Sequence, residues 1–234
     1  VVASRKNETI IPLIREIKQL SPGSTSYQGD LGQSQTWLRF VEFVERKYQR
    51  IDGLVNCVGL VNPHSLEILS SGEIESMIRA NLLSVVYGTQ AVLPLMRRQN
   101  EGHIITMGSL GGVVPMPFAS LYCATKHAVR GFSLSLSEEL IETGIDVSLL
   151  SVGPVRTKML DAESHNNQSV ITFINRPLAP DGVAETIVAL LQKPRRELML
   201  PWATGVFTRL CHFAPGLFGI LYQILQHVGK VRLQ

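Results

Sequence analysis

The sequence predicts an α/β protein built on a doubly wound parallel sheet, from two observations. Short apolar, β-branched runs alternate with longer stretches of helical apolar periodicity, the pattern of βαβ units. With 234 residues, the chain can also bury one full hydrophobic core. No linker, repeat or low-complexity run divides it.

The elements follow in order. Val1–Ser4 reads as the tail of a strand. Ile10, Leu13, Ile14, Ile17 and Leu20 fall on one helical face, with Pro12 expected in the first turn. Ser21-Pro22-Gly23 stops that helix, and a short strand follows at Thr25–Gln28. Trp37, Phe40, Val41, Val44 and Tyr48 mark the next helix. Gly53–Val58 is a buried strand, and Ile74–Gln99 one long helix that Pro94 bends near its end. His103–Met107 is a strand. Leu121–Thr143 is a helix with Gly144 at its C-cap. Ile145–Val152 is a strand, residues 156–180 a polar loop, Val183–Gln192 a helix and Glu197–Leu200 a last strand.

Composition narrows the functional classes. Hydrophobic residues at 45% and charged residues at 18% describe a globular chain. A net charge of +3 without a basic stripe argues against nucleic acid. The cysteines Cys57, Cys123 and Cys211 are odd in number and lack metal-ligand spacing, so reduced thiols and no metal are expected.

The chemistry centres on Tyr122 and Lys126, four apart at a helix start and so on one face. A free phenol has a pKa of about 10 and is a poor acid–base catalyst at neutral pH until a nearby cation favours its phenolate. Ser109 follows the strand His103–Met107 among Gly108, Gly111 and Gly112, where its hydroxyl can be exposed at the carboxyl edge of the sheet. Asn56-Cys57-Val58-Gly59 ends another strand at that edge, and Gly59 would let the backbone approach a ligand. Asn81 lies mid-helix, where a buried amide needs hydrogen-bond partners.

In identity, order and spacing, these residues resemble the classical short-chain dehydrogenase/reductase family over residues 1–200. Asn56–Gly59 resembles its Asn-Asn-Ala-Gly segment, Asn81 its catalytic asparagine, Ser109 its serine, and Tyr122 with Lys126 its Tyr-x-x-x-Lys pair. Gly153, Val155 and Thr157 resemble its loop beside the nicotinamide, although Val152 stands where that loop has proline. Asp30 and Leu31 resemble the acidic dipeptide bordering the adenine. The resemblance implies a Rossmann-like sheet and an oxidoreductase that interconverts an alcohol and a ketone or aldehyde. Tyr122 would exchange the proton at the substrate oxygen. Lys126 would tune that phenol and hold the nicotinamide ribose, while Ser109 polarises the carbonyl and Asn81 supports a water path to Lys126. The cofactor would supply the hydride chemistry.

The family's first strand and glycine-rich turn are not found, so an N-terminally shortened chain that binds cofactor poorly is expected, with two strands lacking a shared neighbour. A catalytically silent scaffold is the alternative to an enzyme. The four catalytic matches favour the enzyme, and the missing turn favours the scaffold. Arg5 and Lys6 follow the strand remnant where the family holds the adenosine ribose. Cations there suit a 2′-phosphate, so NADP(H) is expected, with NAD(H) as the alternative.

Met159, Leu160, Val170, Ile171, Phe173 and Ile174 make an apolar flap, suiting a hydrophobic substrate of steroid, retinoid or lipid type. Residues 201–234 form an apolar extension, read either as a peripheral membrane contact or as a helix over the pocket or a subunit interface. The resemblance implies a homodimer or homotetramer pairing through helices that start near Ile74 and Leu121. The expected compartment is intracellular, in the cytoplasm or on the endoplasmic reticulum membrane.

Overall fold

A run of residues apolar on both faces makes a strand that belongs inside a parallel sheet, and two runs here have that character. They form β4 (Gly102–Ser109) and β5 (Ile145–Val152). The computed structural model describes residues 1–160 and 176–213. Its other strands are β1 (Val2–Ser4), β2 (Ser26–Gln28), β3 (Gly53–Asn56) and β6 (Glu197–Leu200). All pairings are parallel, in two sheets: β1 with β2, and β3-β4-β5-β6. Among the described residues, β1 and β3 each have one partner strand.

Successive residues of β4 point to opposite faces, and each face carries its own core. Ile104 packs with Trp37, Phe40 and Val41 of α2 (Ser34–Tyr48) and with Val92, Leu95 and Met96 of α4 (Ser84–Gln99). Ala3 of β1 and Tyr27 of β2 lean on the same cluster, so one apolar layer underlies both sheets. Ile105 points the other way, to Leu150, Val183 and Leu190, where α6 (Pro180–Gln192) covers the sheet. α1 (Asn7–Leu20) packs on β1 and β2. α5 (Ser120–Glu139) lies along β4 and β5, and α7 (Trp202–Phe213) follows β6. Helices thus cover both faces of parallel strands, the doubly wound arrangement.

Four local expectations are corrected. The helix expected over Ile74–Gln99 is α3 (Ser71–Ile78), a π-helical turn at Arg79–Leu83, and α4. α3 opens on a capping box between Ser70 and Glu73. Pro12 sits inside α1 rather than in its first turn, because that helix already starts at Asn7. Leu13 and Leu20 are exposed, leaving Ile10 and Ile14 as the buried face. α5 ends at Glu139, and Gly144 makes no left-handed cap. Its hydrogen faces the Asn100 carbonyl instead, which would stand 1.9 Å from a β-carbon.

Candidate active site

The carboxyl ends of β3, β4 and β5 and the first turns of α5 meet at one edge of the larger sheet. β4 ends at Ser109, whose hydroxyl accepts from the Gly111 amide at 3.0 Å. That bond turns the chain into a short 3-10 segment, Leu110–Gly112, which lies against α5. Glycine is required there by close approach. A β-carbon on Gly112 would stand 2.7 Å from the Lys126 carbonyl oxygen. One on Gly111 would lie 3.4 Å from both Ser109 Oγ and the Tyr122 ring. Ser109 and Tyr122 therefore flank one small space, and α5 holds Lys126 beside it.

Lys126 is 6% exposed, and its Nζ donates to the Met107 carbonyl at 3.0 Å. The same Nζ lies 5.9 Å from the centre of the Tyr122 ring. Burial pushes its pKa down to about 8, against a smaller opposing pull from Cys57. Desolvation raises the pKa of the Cys57 thiol, which still reaches the surface, and the Lys126 charge draws it back. An ammonium has three N–H donors.

Asn81 is fully buried in the π-turn. Its Oδ1 accepts from Leu60 N at 2.7 Å, while Nδ2 donates to Leu60 O at 2.9 Å and to Thr125 Oγ1 at 3.0 Å. Its side chain is spent on holding the loop after β3 and the start of α5. The Asn56 amide also turns inward, donating to Thr89 at 3.4 Å and Thr106 at 3.3 Å. Gly59 has ordinary clearance, with Asn81 Oδ1 at 3.8 Å and Met159 at 3.9 Å from its would-be β-carbon. Met159 thereby reaches across to the end of β3.

The loop after β5 is laced to later chain. Gly153 N donates to Leu200 O at 2.7 Å, Val155 bridges Leu178, and Arg156 N donates to Leu178 O at 3.0 Å. Thr157 Oγ1 donates to the Val155 carbonyl at 3.3 Å. Arg5 and Lys6 are exposed at the end of β1. Asp30 accepts from Gly32 N at 3.1 Å, and Gly32 abuts Arg79. The Leu31 side chain is buried beside Trp37, so it serves the core. Val170, Ile171, Phe173 and Ile174 lie outside the described residues.

Sequence reasoning missed Thr125, Thr89, Thr106 and the Met107 carbonyl. Only Thr125 left a signal, a hydroxyl one helical turn after Tyr122.

A doubly wound α/β fold with a serine, a tyrosine and a lysine gathered at one strand edge defines a class that comparison can test. Residues 1–168 match the short chain dehydrogenase family model, and the chain belongs to that family. It is 34% identical over 161 residues to an uncharacterized oxidoreductase of Staphylococcus saprophyticus, covering 67% of this chain and 65% of the relative. It is 37% identical over 169 residues to human 17-beta-hydroxysteroid dehydrogenase type 1, covering 64% of this chain and 52% of that protein. An NADP-dependent 3-hydroxy acid dehydrogenase of Schizosaccharomyces pombe is 27% identical over 212 residues, 88% of this chain and 81% of its own length. Among solved structures, a metagenomic short-chain oxidoreductase in complex with NADP superposes with a TM-score of 0.71 at 26% identity, over 85% of this chain and 83% of that one.

Proposed function

We propose that this protein is an NADP(H)-dependent oxidoreductase that interconverts an alcohol and a ketone or aldehyde on a hydrophobic substrate. The observation that carries the reading is the packing of Ser109, Tyr122 and Lys126 around Gly111 and Gly112. NADP(H), when bound, supplies or accepts the hydride. The donor set fits a nucleotide: Lys126 keeps N–H donors beyond the one given to Met107, and Arg5 and Lys6 place exposed cations at the end of β1.

In this reading the Tyr122 hydroxyl exchanges a proton with the substrate oxygen, and the Ser109 hydroxyl donates to that same oxygen. Lys126 holds a positive charge beside the Tyr122 ring and offers its remaining N–H groups to ribose hydroxyls. Gly153, Val155 and Thr157, tied to residue 178 and to the end of β6, hold the nicotinamide side. Asp30 and the Leu31 backbone border the adenine side. Asn56 and Asn81 act by fixing the strand ends and α5.

Two features support the finer reading. The relatives include a steroid dehydrogenase and an NADP-dependent enzyme by name, and Met159 brings an apolar side chain over Gly59. α7 also presents Trp202, Leu210 and Phe213 at 72%, 64% and 85% exposure, an amphipathic surface suited to peripheral membrane contact. No helix among the described residues is long and apolar enough to cross a membrane.

The test is NADPH oxidation by the full-length natural protein with a panel of steroid, retinoid and aliphatic ketones, compared with Tyr122→Phe. Turnover lost by about a thousandfold or more in the variant supports the reading. An unchanged rate in Tyr122→Phe rejects it. A clear preference for NADH rejects the cofactor assignment, and failure to float with anionic liposomes rejects the membrane contact.

A further inference from the structure

We infer that Thr125 is a positioning residue for the acid–base tyrosine, an inference that rests on the role of Tyr122 given above. Thr125 lies between Tyr122 and Lys126 on α5 and is 3% exposed. Its hydroxyl is used in both directions. It accepts from Asn81 Nδ2 at 3.0 Å and donates to the Tyr122 carbonyl at 2.7 Å. Threonine in a helix can bond back to the carbonyl three residues earlier, and that carbonyl belongs to the residue carrying the phenol.

The chain of bonds is continuous. The backbone of Leu60, just after the β3 end, grips both ends of the Asn81 amide at 2.7 and 2.9 Å. Asn81 passes its second N–H to Thr125, and Thr125 passes its own proton to Tyr122 O. Three segments distant in sequence thus fix the backbone from which the Tyr122 side chain projects. The π-turn at Arg79–Leu83 is where Asn81 reaches these partners from inside a helix, and such turns recur at functional sites. One residue on, the Lys126 carbonyl abuts Gly112 at the distance a β-carbon would find impossible. α5 is therefore held by two contacts at this turn: packing at Gly112 and hydrogen bonding at Thr125.

Valine has threonine's shape without its hydroxyl, so Thr125→Val removes both bonds and keeps the volume. Serine keeps both bonds and loses a methyl. A small displacement of a catalytic group costs roughly ten- to a hundredfold in rate. The experiment measures kcat and KM on the full-length protein as wild type, Thr125→Val, Thr125→Ser and Tyr122→Phe, each normalised to folded protein by circular dichroism.

The expected result is a kcat at least about tenfold lower in Thr125→Val, KM within about threefold, and Thr125→Ser near wild type. A folded Thr125→Val with wild-type kcat overturns the inference. So does a Thr125→Ser as slow as Thr125→Val, because the hydroxyl would then not be the operative group. Should Thr125→Val not fold, Thr125→Ala removes the same bonds with less bulk and is read by the same criteria. A lowered melting temperature with unchanged kcat per folded molecule makes the residue merely structural and also overturns it. An active Tyr122→Phe fails the underlying reading instead, which separates the two.

Discussion

The Lys126 ammonium points at the Met107 carbonyl, two residues before Ser109, across 3.0 Å. The bond ties α5 to the strand that ends in Ser109, and it does so with a charged group that is almost wholly buried. Burial holds the Lys126 pKa at about 8, below its ordinary 10.5. A pKa lowered on folding means the unfolded chain binds the proton more tightly. The penalty is fully present below pH 8 and fades as pH rises towards 10.5. Lys126→Met should therefore be more stable than wild type at pH 7, by ~2 kcal/mol once the lost carbonyl bond is offset. The gap should narrow by pH 10, and activity should be lost. Denaturant unfolding at both pH values checks it, and a less stable Met variant at pH 7 contradicts it.

Asn81 satisfies both backbone groups of Leu60 from inside a helix. Asn81→Ala leaves those part-buried groups and the buried Thr125 hydroxyl without this partner. Each orphaned group costs about 1–3 kcal/mol, so the variant should lose ~2–4 kcal/mol. Urea midpoints report this, and a loss under 1 kcal/mol would show that the loop relaxes to find other partners.

Why Asn81's partners were not legible, while its need for them was, is a matter of sequence distance. Its partners sit at Leu60 and Thr125, and no periodicity encodes them. The apolar residues from Ile74 to Gln99 continue smoothly enough to read as one helix, so the inserted π-turn stays hidden. That Tyr122, Lys126 and Ser109 come together was legible because residue type at local spacing places them at one strand edge. Asn56 was legible as a strand end facing the site. Its amide, however, is taken by Thr89 and Thr106, hydroxyls that a single sequence does not connect to it. Gly144 shows the same limit. A glycine after a helix reads as a cap, but here it clears the Asn100 carbonyl.

Glu197 couples the last strand to two helices. Its carboxylate, 9% exposed, accepts from Arg130 Nε at 2.7 Å and from Arg209 at 3.0 Å. Arg130 lies one turn beyond Lys126 on α5, so Glu197 ties α7 to that helix. Glu197→Ala leaves a partly buried guanidinium unpaired and should cost ~1–3 kcal/mol. Arg209→Ala breaks the more exposed arm and should cost under about 1 kcal/mol. Melting curves rank the two, and limited proteolysis should cut α7 faster in Glu197→Ala than in wild type. Equal losses in both variants would show that the buried arm carries no extra weight.

Two glycines near the same helix should respond in opposite ways to alanine. At Gly112 the added carbon meets the Lys126 carbonyl oxygen at 2.7 Å and its carbon at 2.9 Å, both backbone atoms that cannot turn aside. Either α5 or the 3-10 turn must shift, which should cost ~1–3 kcal/mol by overpacking and reduce kcat by roughly a hundredfold as Tyr122 moves from Ser109. At Gly131, inside α5, nothing lies within 4 Å of the added carbon. Gly131→Ala should stabilise the protein by about 0.5–1 kcal/mol through helix propensity alone, with kcat unchanged. The comparison separates what α5 needs as a helix from what it needs as a platform. If Gly112→Ala keeps full kcat, the tight seat against Lys126 is not what aligns the tyrosine with the serine.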